Sequence, residues 1–458
     1  MTAAASTPPA AGRPNVVVFL TDQQRFDSTG VHGNPLGLTP NFDRLATEGT
    51  FCAQAFTPQP VCAPARAALQ TGRHATAAGV HRNELALPAD ADTIAKRFAA
   101  GGYETAYVGK WHLAGTDDGP VPPPLRGGYD HWFAADVVEF ISDVYDARLY
   151  DSDGVLHRLP GYRADAYVDA AIDYLTRPHD RPFFLFVSLI EPHHRNQRDD
   201  YPAPDGYREQ YEGRWTPPDL AALGGVTHQH LAGYWGMVKR VDEAFGRLRD
   251  ALHSLALTDD TIVAFTTDHG CHFKTRNDEY KRSAHEASIR LPLAIDGPTF
   301  HGGGRVRSLV SLIDLAPTLL DACGLPVPDA MHGRSLLPVL RGTEPDERRE
   351  VLVQISESQV ARALRTTRWK YVIAAPDADP WNDTGSPHYV ETELYDLDSD
   401  PHELENLAGL ASHRRLCDVL GTRIARLMVS AGEVSPQITP APSRAPGQRT
   451  VSSADAWL

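Results

Sequence analysis

Cysteine is scarce: the five thiols at positions 52, 62, 271, 323 and 417 are odd in number and share no Cys-x-x-Cys spacing. That excludes a disulfide framework and a zinc site built on thiolate pairs. Cys323 and Cys417 read as small core filler. Basic residues are also in deficit, with 44 Lys and Arg against 59 Asp and Glu, a formal charge of −15. Nucleic acids and anionic membranes are bound through a basic face, so neither is an expected partner. A small anion is not excluded, because a local cluster of Lys, Arg and His can hold one on an acidic protein. Long apolar runs are missing as well. The opening residues 1–12 have neither a basic segment nor an apolar core, and the run that follows, Val16 to Leu20, is too short for a signal or a span. The expectation is a cytoplasmic protein with a flexible leader over residues 1–13.

What is present is an ordinary globular composition, 42% apolar and 22% charged, in a chain too long for one ordinary core. Strand-like runs alternate with helical stretches, which predicts an α/β fold with a mainly parallel central sheet flanked by helices. Four runs share one feature. Asn15 to Leu20 ends at Thr21-Asp22, and Glu104 to Val108 runs into Gly109-Lys110-Trp111-His112. Pro182 to Ile190 ends at Glu191-Pro192-His193-His194, and Thr261 to Phe265 ends at Thr267-Asp268-His269-Gly270. Ligands of open α/β sheets bind beyond the carboxyl ends of the strands, so four such ends carrying titratable groups predict one shared site. Helices are predicted at Asn41 to Glu48, Pro64 to Gln70, Asp92 to Ala100, Ala164 to Leu175, His228 to Leu255 and Asp314 to Ala322. The pattern changes after Gly342. Residues 14–342 are expected to form the large domain, 343–429 a smaller C-terminal α+β subdomain closed by a helix over His413 to Val429, and 430–458 a Pro/Ser/Ala-rich tail.

The central motif is Pro60-Val-Cys62-Ala-Pro64-Ala-Arg66, continuing to Thr71-Gly72. A thiol at a helix N-terminus with an arginine one turn in has a lowered pKa and attracts anions. By itself the motif also suits a structural cysteine ahead of an ordinary helix. Its surroundings are more specific. Cys62-x-Pro64-x-Arg66 followed by Thr71-Gly72 resembles the signature of the type I, formylglycine-dependent sulfatases of the alkaline phosphatase-like superfamily. The usual Ser of that signature is replaced by Ala65. Six further stretches, in order, resemble the same family: Pro14 to Gln23, Thr39 to Ala46, Gly102 to Leu113, Pro192-His193, Thr267 to Gly270 with Lys281 thirteen residues after Asp268, and Glu393 to Leu407.

The resemblance implies a sulfuric ester hydrolase whose Cys62 is oxidised to formylglycine (3-oxoalanine) by a maturation enzyme, a necessary partner. It implies one divalent cation held by Asp22, Asp268, His269 and an oxygen of the modified Cys62, with Gln23 adding an amide oxygen. Such oxygen donors suit Ca²⁺ first and Mg²⁺ second, while the single imidazole nitrogen leaves Mn²⁺ open. Many relatives carry Asp where Gln23 stands and Asn where His269 stands. The implied roles continue with Arg66 stabilising the nucleophile and His112 as the base that expels sulfate. His193, with His194 as a neighbour, would be the acid for the leaving alcohol. Lys110 and Lys281 would neutralise sulfate oxygens, and Asn83 would contact the substrate.

His272, Lys274, Arg276 and His285 are candidates for a rim that reads a second anionic group, or for a solvated loop. Trp215, Trp235 and Trp381 are better packing residues than stacking platforms. Gly270 to Arg276 loosely resembles bacterial carbohydrate sulfatases, which favours a sulfated sugar over an aryl sulfate. Two other functions fit the sequence: a phosphonate monoester or phosphodiester hydrolase of the same superfamily, which Gln23 and His269 allow, and a non-catalytic binding protein that kept the fold.

Overall fold

The computed structural model describes residues 12–116 and 118–444. The leader expected at 1–13 lies outside the described residues except for Gly12 and Arg13, as does the 445–458 part of the expected tail. Two compact units divide between Arg349 and Glu350.

The first unit is organised by a ten-stranded sheet. Its centre is five parallel strands in the spatial order Thr261–Thr267, Asn15–Thr21, Phe183–Ser188, Glu104–Lys110 and His131–Ala135. Antiparallel pairs extend both flanks, Ala294–Asp296 beside the Thr261 strand and Ala147–Tyr150 beside the His131 strand. The α/β class with a mainly parallel centre is therefore as expected.

Near-continuous apolar runs mark these strands because helices cover both faces. Side chains alternate between two cores. Val16, Val18, Leu20, Phe184 and Phe186 pack on one face with Ala67, Phe98 and Leu319. Val17, Phe19, Leu185 and Val187 pack on the other with Leu45, Tyr167 and Phe245. Those partners come from the helices Cys62–Thr71, Ile94–Ala100 and Leu315–Ala322 on one side, and Pro40–Glu48, Arg163–Thr176 and Thr227–Ser254 on the other. No helix among the described residues is long and apolar enough to cross a membrane.

One glycine is required where the site begins. Gly109 has φ +108°, and a Cβ there would overlap the Ser188 carbonyl oxygen of the neighbouring strand. Gly109→Ala is expected to cost roughly 3 kcal/mol, from the positive φ and the clash together. A urea midpoint shift checks it; an unchanged midpoint would contradict the strand geometry.

The second unit is a five-stranded sheet, four antiparallel strands from Glu350–Ile355 to His388–Asp396 with Gln437–Thr439 added in parallel. The helix Arg414–Ser430 lays Leu420, Ile424 and Met428 on Leu364, Tyr371 and Ile373. Cys323 and Cys417 are buried within their respective cores, the filler role expected of them.

Candidate active site

Cys62 is the first residue of its helix, and all ten residues of that helix are buried. The preceding Val61 is extended, and Asn83 Oδ1 accepts the Ala63 N–H at 3.1 Å. Asn83 thus satisfies one of the helix's orphan donors; this is the position from which a substrate contact was expected.

Arg66, one turn in, binds four strand ends at once. Its Nε donates to Asp268 Oδ2 (3.2 Å) and one terminal nitrogen to Asp22 Oδ2 (3.0 Å). The other donates to the Lys110 carbonyl (2.9 Å) and Ser188 Oγ (2.7 Å). The sequence could not show that most of this guanidinium is engaged by the protein. Its geometry positions the cluster more than it reaches outward.

The strand ends do converge. Cys62 Sγ lies 3.6 Å from Asp22 Oδ1 and 3.3 Å from His269 Nε2. Lys281 Nζ stands 2.9 Å from the same sulfur, 3.0 Å from His193 Nε2 and 3.2 Å from His269 Nε2. Lys110 Nζ, fully buried, donates to Asp22 Oδ2 at 2.8 Å and to Glu139 Oε1 at 2.6 Å. His112, in the left-handed region at φ +60°, hydrogen-bonds to Cys62, and its Nδ1 is buried with no hydrogen-bond partner among the described residues.

Backbone carbonyls assign two imidazole tautomers, because a carbonyl only accepts. His269 Nδ1 lies 3.0 Å from the Gly270 oxygen, so Nδ1 carries hydrogen and Nε2 turns its lone pair to the cluster. His193 Nδ1 donates to the His194 carbonyl at 2.6 Å, which leaves its Nε2 to accept from Lys281. The neighbouring His194 is stacked behind His193, with its Nδ1 3.2 Å from Gln23 Oε1. Of the two histidines, His193 is the one against Lys281.

Gln23 sits differently from its expected role. Its amide nitrogen donates to Tyr201 and Cys271 at 3.4 Å each, its side-chain oxygen meets His194, and its backbone N–H donates to Asp268 Oδ1 at 3.2 Å. Among the rim candidates, His272 is buried and donates to the Lys281 carbonyl, so it supports the Lys281 segment from below. His285 is buried too, and Lys274 pairs with Asp199. Trp235 is buried with Trp215 stacked on it, 6.2 Å between centroids, so this pair is packing.

Electrostatics follow from burial beside fixed charges. Burial would raise the Cys62 thiol, but Lys281, Lys110 and His269, with the His112 hydrogen bond, hold it well below its ordinary value. Burial and the Cys62 sulfur would raise Asp22; Lys110, His193 and Arg66 keep it well below the usual carboxylate range. Asp268 goes the other way, pushed up to about 6 by burial and then by the Asp22 charge. Asp22, Cys62, Asp268 and His269 present ligand atoms all within 4.8 Å of one another, every residue buried. Two buried carboxylates that repel each other, facing an imidazole lone pair, fit a divalent cation, which would relieve the cost of burying the second charge.

Two residues of the cluster were not foreseen. Ser188 was legible as the one polar residue in an apolar run, at a strand's carboxyl end. Glu139, in the short helix Val138–Ile141, carries no motif; only its approach to Lys110 identifies it.

Comparison with known proteins supplies a family description. Residues 14–325 match the sulfatase family model, and residues 278–430 match the model described as N-sulphoglucosamine sulphohydrolase, C-terminal. The ulvan-active sulfatase of Formosa agariphila is 31% identical over 440 residues, covering 92% of this chain and 82% of that protein. The N-acetylglucosamine-6-O-sulfatase of Bacteroides thetaiotaomicron is 26% identical, covering 88% and 84%. A solved Bacteroides fragilis chain described as the sulfatase yidJ superposes with a TM-score of 0.79 at 24% identity, over 94% of this chain and 98% of that one, which shows the shared fold.

Proposed function

This chain belongs to the sulfatase family, and from that premise we propose that it cleaves a carbohydrate sulfate monoester with an oxidised Cys62 beside one divalent cation. It is a sulfuric ester hydrolase. The sugar preference is supported by the two relatives above, one named for ulvan and one for N-acetylglucosamine-6-sulfate. The observation that carries the mechanism is the convergence of Asp22, Lys110, Ser188 and Asp268 on Arg66, next to the Cys62 side chain.

Oxidation converts the Cys62 side chain to an aldehyde, whose hydrate offers two hydroxyls on one carbon. Asp22, Asp268, His269 and an oxygen of that group would hold the cation, which supplies Lewis acidity for generating the nucleophile near neutral pH. Ca²⁺ is the ion proposed, on the two carboxylates. Gln23 joins the set through its backbone N–H, which orients Asp268. Lys281 and Lys110 face the sulfate oxygens as charge gathers on them. One hydroxyl, its proton lost to solvent, bonds to sulfur while the bond from sulfur to the alcohol oxygen breaks, and His193 gives that oxygen a proton. His193 Nε2 accepts from the Lys281 ammonium in the resting site, so it takes up this proton from solvent before donating it, and Lys281 keeps its charge for the sulfate. His112 takes a proton from the second hydroxyl, the carbon–oxygen bond to sulfate breaks, and the aldehyde returns. Arg66 holds the four strand ends in register throughout, and Asn83 holds the start of the Cys62 helix.

The test is sulfate release from a panel of sulfated sugars and aryl sulfates after coexpression with a formylglycine-generating oxidase, with aryl phosphonate and phosphodiester arms. Mass spectrometry of the Cys62 peptide accompanies it. Aldehyde at Cys62 with sulfated sugars as the best substrates is expected. An unmodified Cys62 and no hydrolysis would favour the binding-protein reading, and faster phosphonate turnover would overturn the substrate class.

His193→Ala is expected to lower kcat/KM about 10²–10⁴-fold for sugar sulfates, whose alkoxides need a proton. A nitrophenyl sulfate, with a good leaving group, should lose far less. Equal losses on both substrates would remove His193 from the acid role.

A further inference from the structure

Glu139 is the charge in this cluster that the sulfatase chemistry above does not use. It is 8% exposed, and its Oε1 accepts from Lys110 Nζ at 2.6 Å. Its other oxygen, Oε2, is buried with no hydrogen-bond partner among the described residues. Burial would raise this carboxyl, but Lys110 first, then His112 and His193, bring it down to about 2. It is therefore an anion at neutral pH, in the field of the two histidines that border the reacting group.

The charges around the anion site are closely balanced. Arg66 is paired with Asp22 and Asp268, and Lys110 is shared between Asp22 and Glu139. Lys281 has no carboxylate partner among the described residues; its contacts are the Cys62 sulfur and two imidazoles. Lys281 is thus the cationic side chain left facing an incoming oxyanion, in addition to the cation of the proposed function, and a sulfate monoester carries one negative charge. A phosphate monoester has a second pKa of about 6 and is a dianion in mildly alkaline solution. Its extra charge is repelled by the Glu139 carboxylate across Lys110, among buried side chains where charge–charge repulsion is weakly screened.

We propose that Glu139 is a specificity-determining residue: its buried carboxylate, spending half of Lys110, admits monoanionic sulfate esters and rejects dianionic phosphate monoesters of the same shape. The inference rests on the sulfatase reading above and extends it to how the site tells two tetrahedral oxyanions apart.

The experiment compares the parent, Glu139→Gln and Glu139→Asp at pH 8. Three esters of one phenol are used: the sulfate, the dianionic phosphate and the monoanionic methyl phosphodiester. Glu139→Gln is expected to raise the phosphate-to-sulfate ratio of kcat/KM by about tenfold or more. The diester-to-sulfate ratio should move much less, and Glu139→Asp should keep the parental preference. The same contrast is read without turnover by calorimetry of the aryl phosphate and aryl sulfate on Cys62→Ala, with and without Glu139→Gln. Parallel losses on all three esters would reduce Glu139 to a structural role, and an equal gain by the diester would show that room, not charge, had changed. Unchanged ratios and unchanged relative binding would also overturn the proposal. Failure of the underlying reading shows separately, as a parent that releases no sulfate.

Discussion

Cys62→Ala, expressed with the oxidase, is expected to lose at least about 10⁴-fold in sulfate release, because the residue that forms the covalent intermediate is gone. The hydroxyl of Ser188, also in the cluster, is held by Arg66, from which its Oγ accepts. A water attacking in place of the hydrate would have to enter beside a helix whose ten residues are all buried. The loss should be in kcat, with the thermal midpoint little changed, because alanine at the first position of an alanine-rich helix keeps its start and its Asn83 cap. Activity within tenfold of the parent would end the proposal that Cys62 is the nucleophile.

Asp268→Asn is the second large effect, expected to cost roughly 10³-fold in kcat/KM through loss of the cation's Lewis acidity. Treatment of the parent with a chelator should do the same, and re-addition separates the ions. Recovery with Ca²⁺ is expected, whereas recovery with Mn²⁺ alone would show that the His269 nitrogen decides the preference. Elemental analysis of the variant should find the site depleted. Stability supplies an independent readout. In the folded state the Asp268 carboxyl is raised to about 6 by burial and by Asp22, above its unfolded value of 3.8. The folded protein therefore binds more protons than the unfolded chain between those two values. Stability of the chelated parent should then rise as pH falls from 7 through about 6 and level off below 4. Asp268→Asn has no such proton to take up, so its rise should be smaller, what remains coming from Asp242, whose buried carboxyl is also pushed up to about 6. Chelated parent and variant with the same slope across that window would contradict the repulsion that makes this pair a cation site.

The sequence by itself determined the parts that depend on local pattern. Apolar runs with polar residues at their carboxyl ends specify strands whose ends meet at one edge, because parallel strands covered on both faces must all run the same way. That is how Asp22, Lys110, His193 and Asp268 could be assigned to a single site before any coordinates. The Cys62 helix was legible from the proline in its first turn, although it runs Cys62–Thr71 and so begins two residues before the expected Pro64. Only the tertiary structure decided what those groups do to one another. Glu139 lies in a stretch with no motif, and its importance comes from a 2.6 Å approach to Lys110 across separate elements. Arg66 was foreseen as a charge near the nucleophile, whereas its bonds to four strand ends exist only once the sheet is assembled. His272 read as a rim residue from its basic neighbours, yet the chain folds it beneath Lys281. Periodicity and capping are set by neighbours a few residues apart, while charge pairing in the site joins residues from 29 positions apart, as Lys110 and Glu139, to 219 apart, as Cys62 and Lys281, and no local pattern records it.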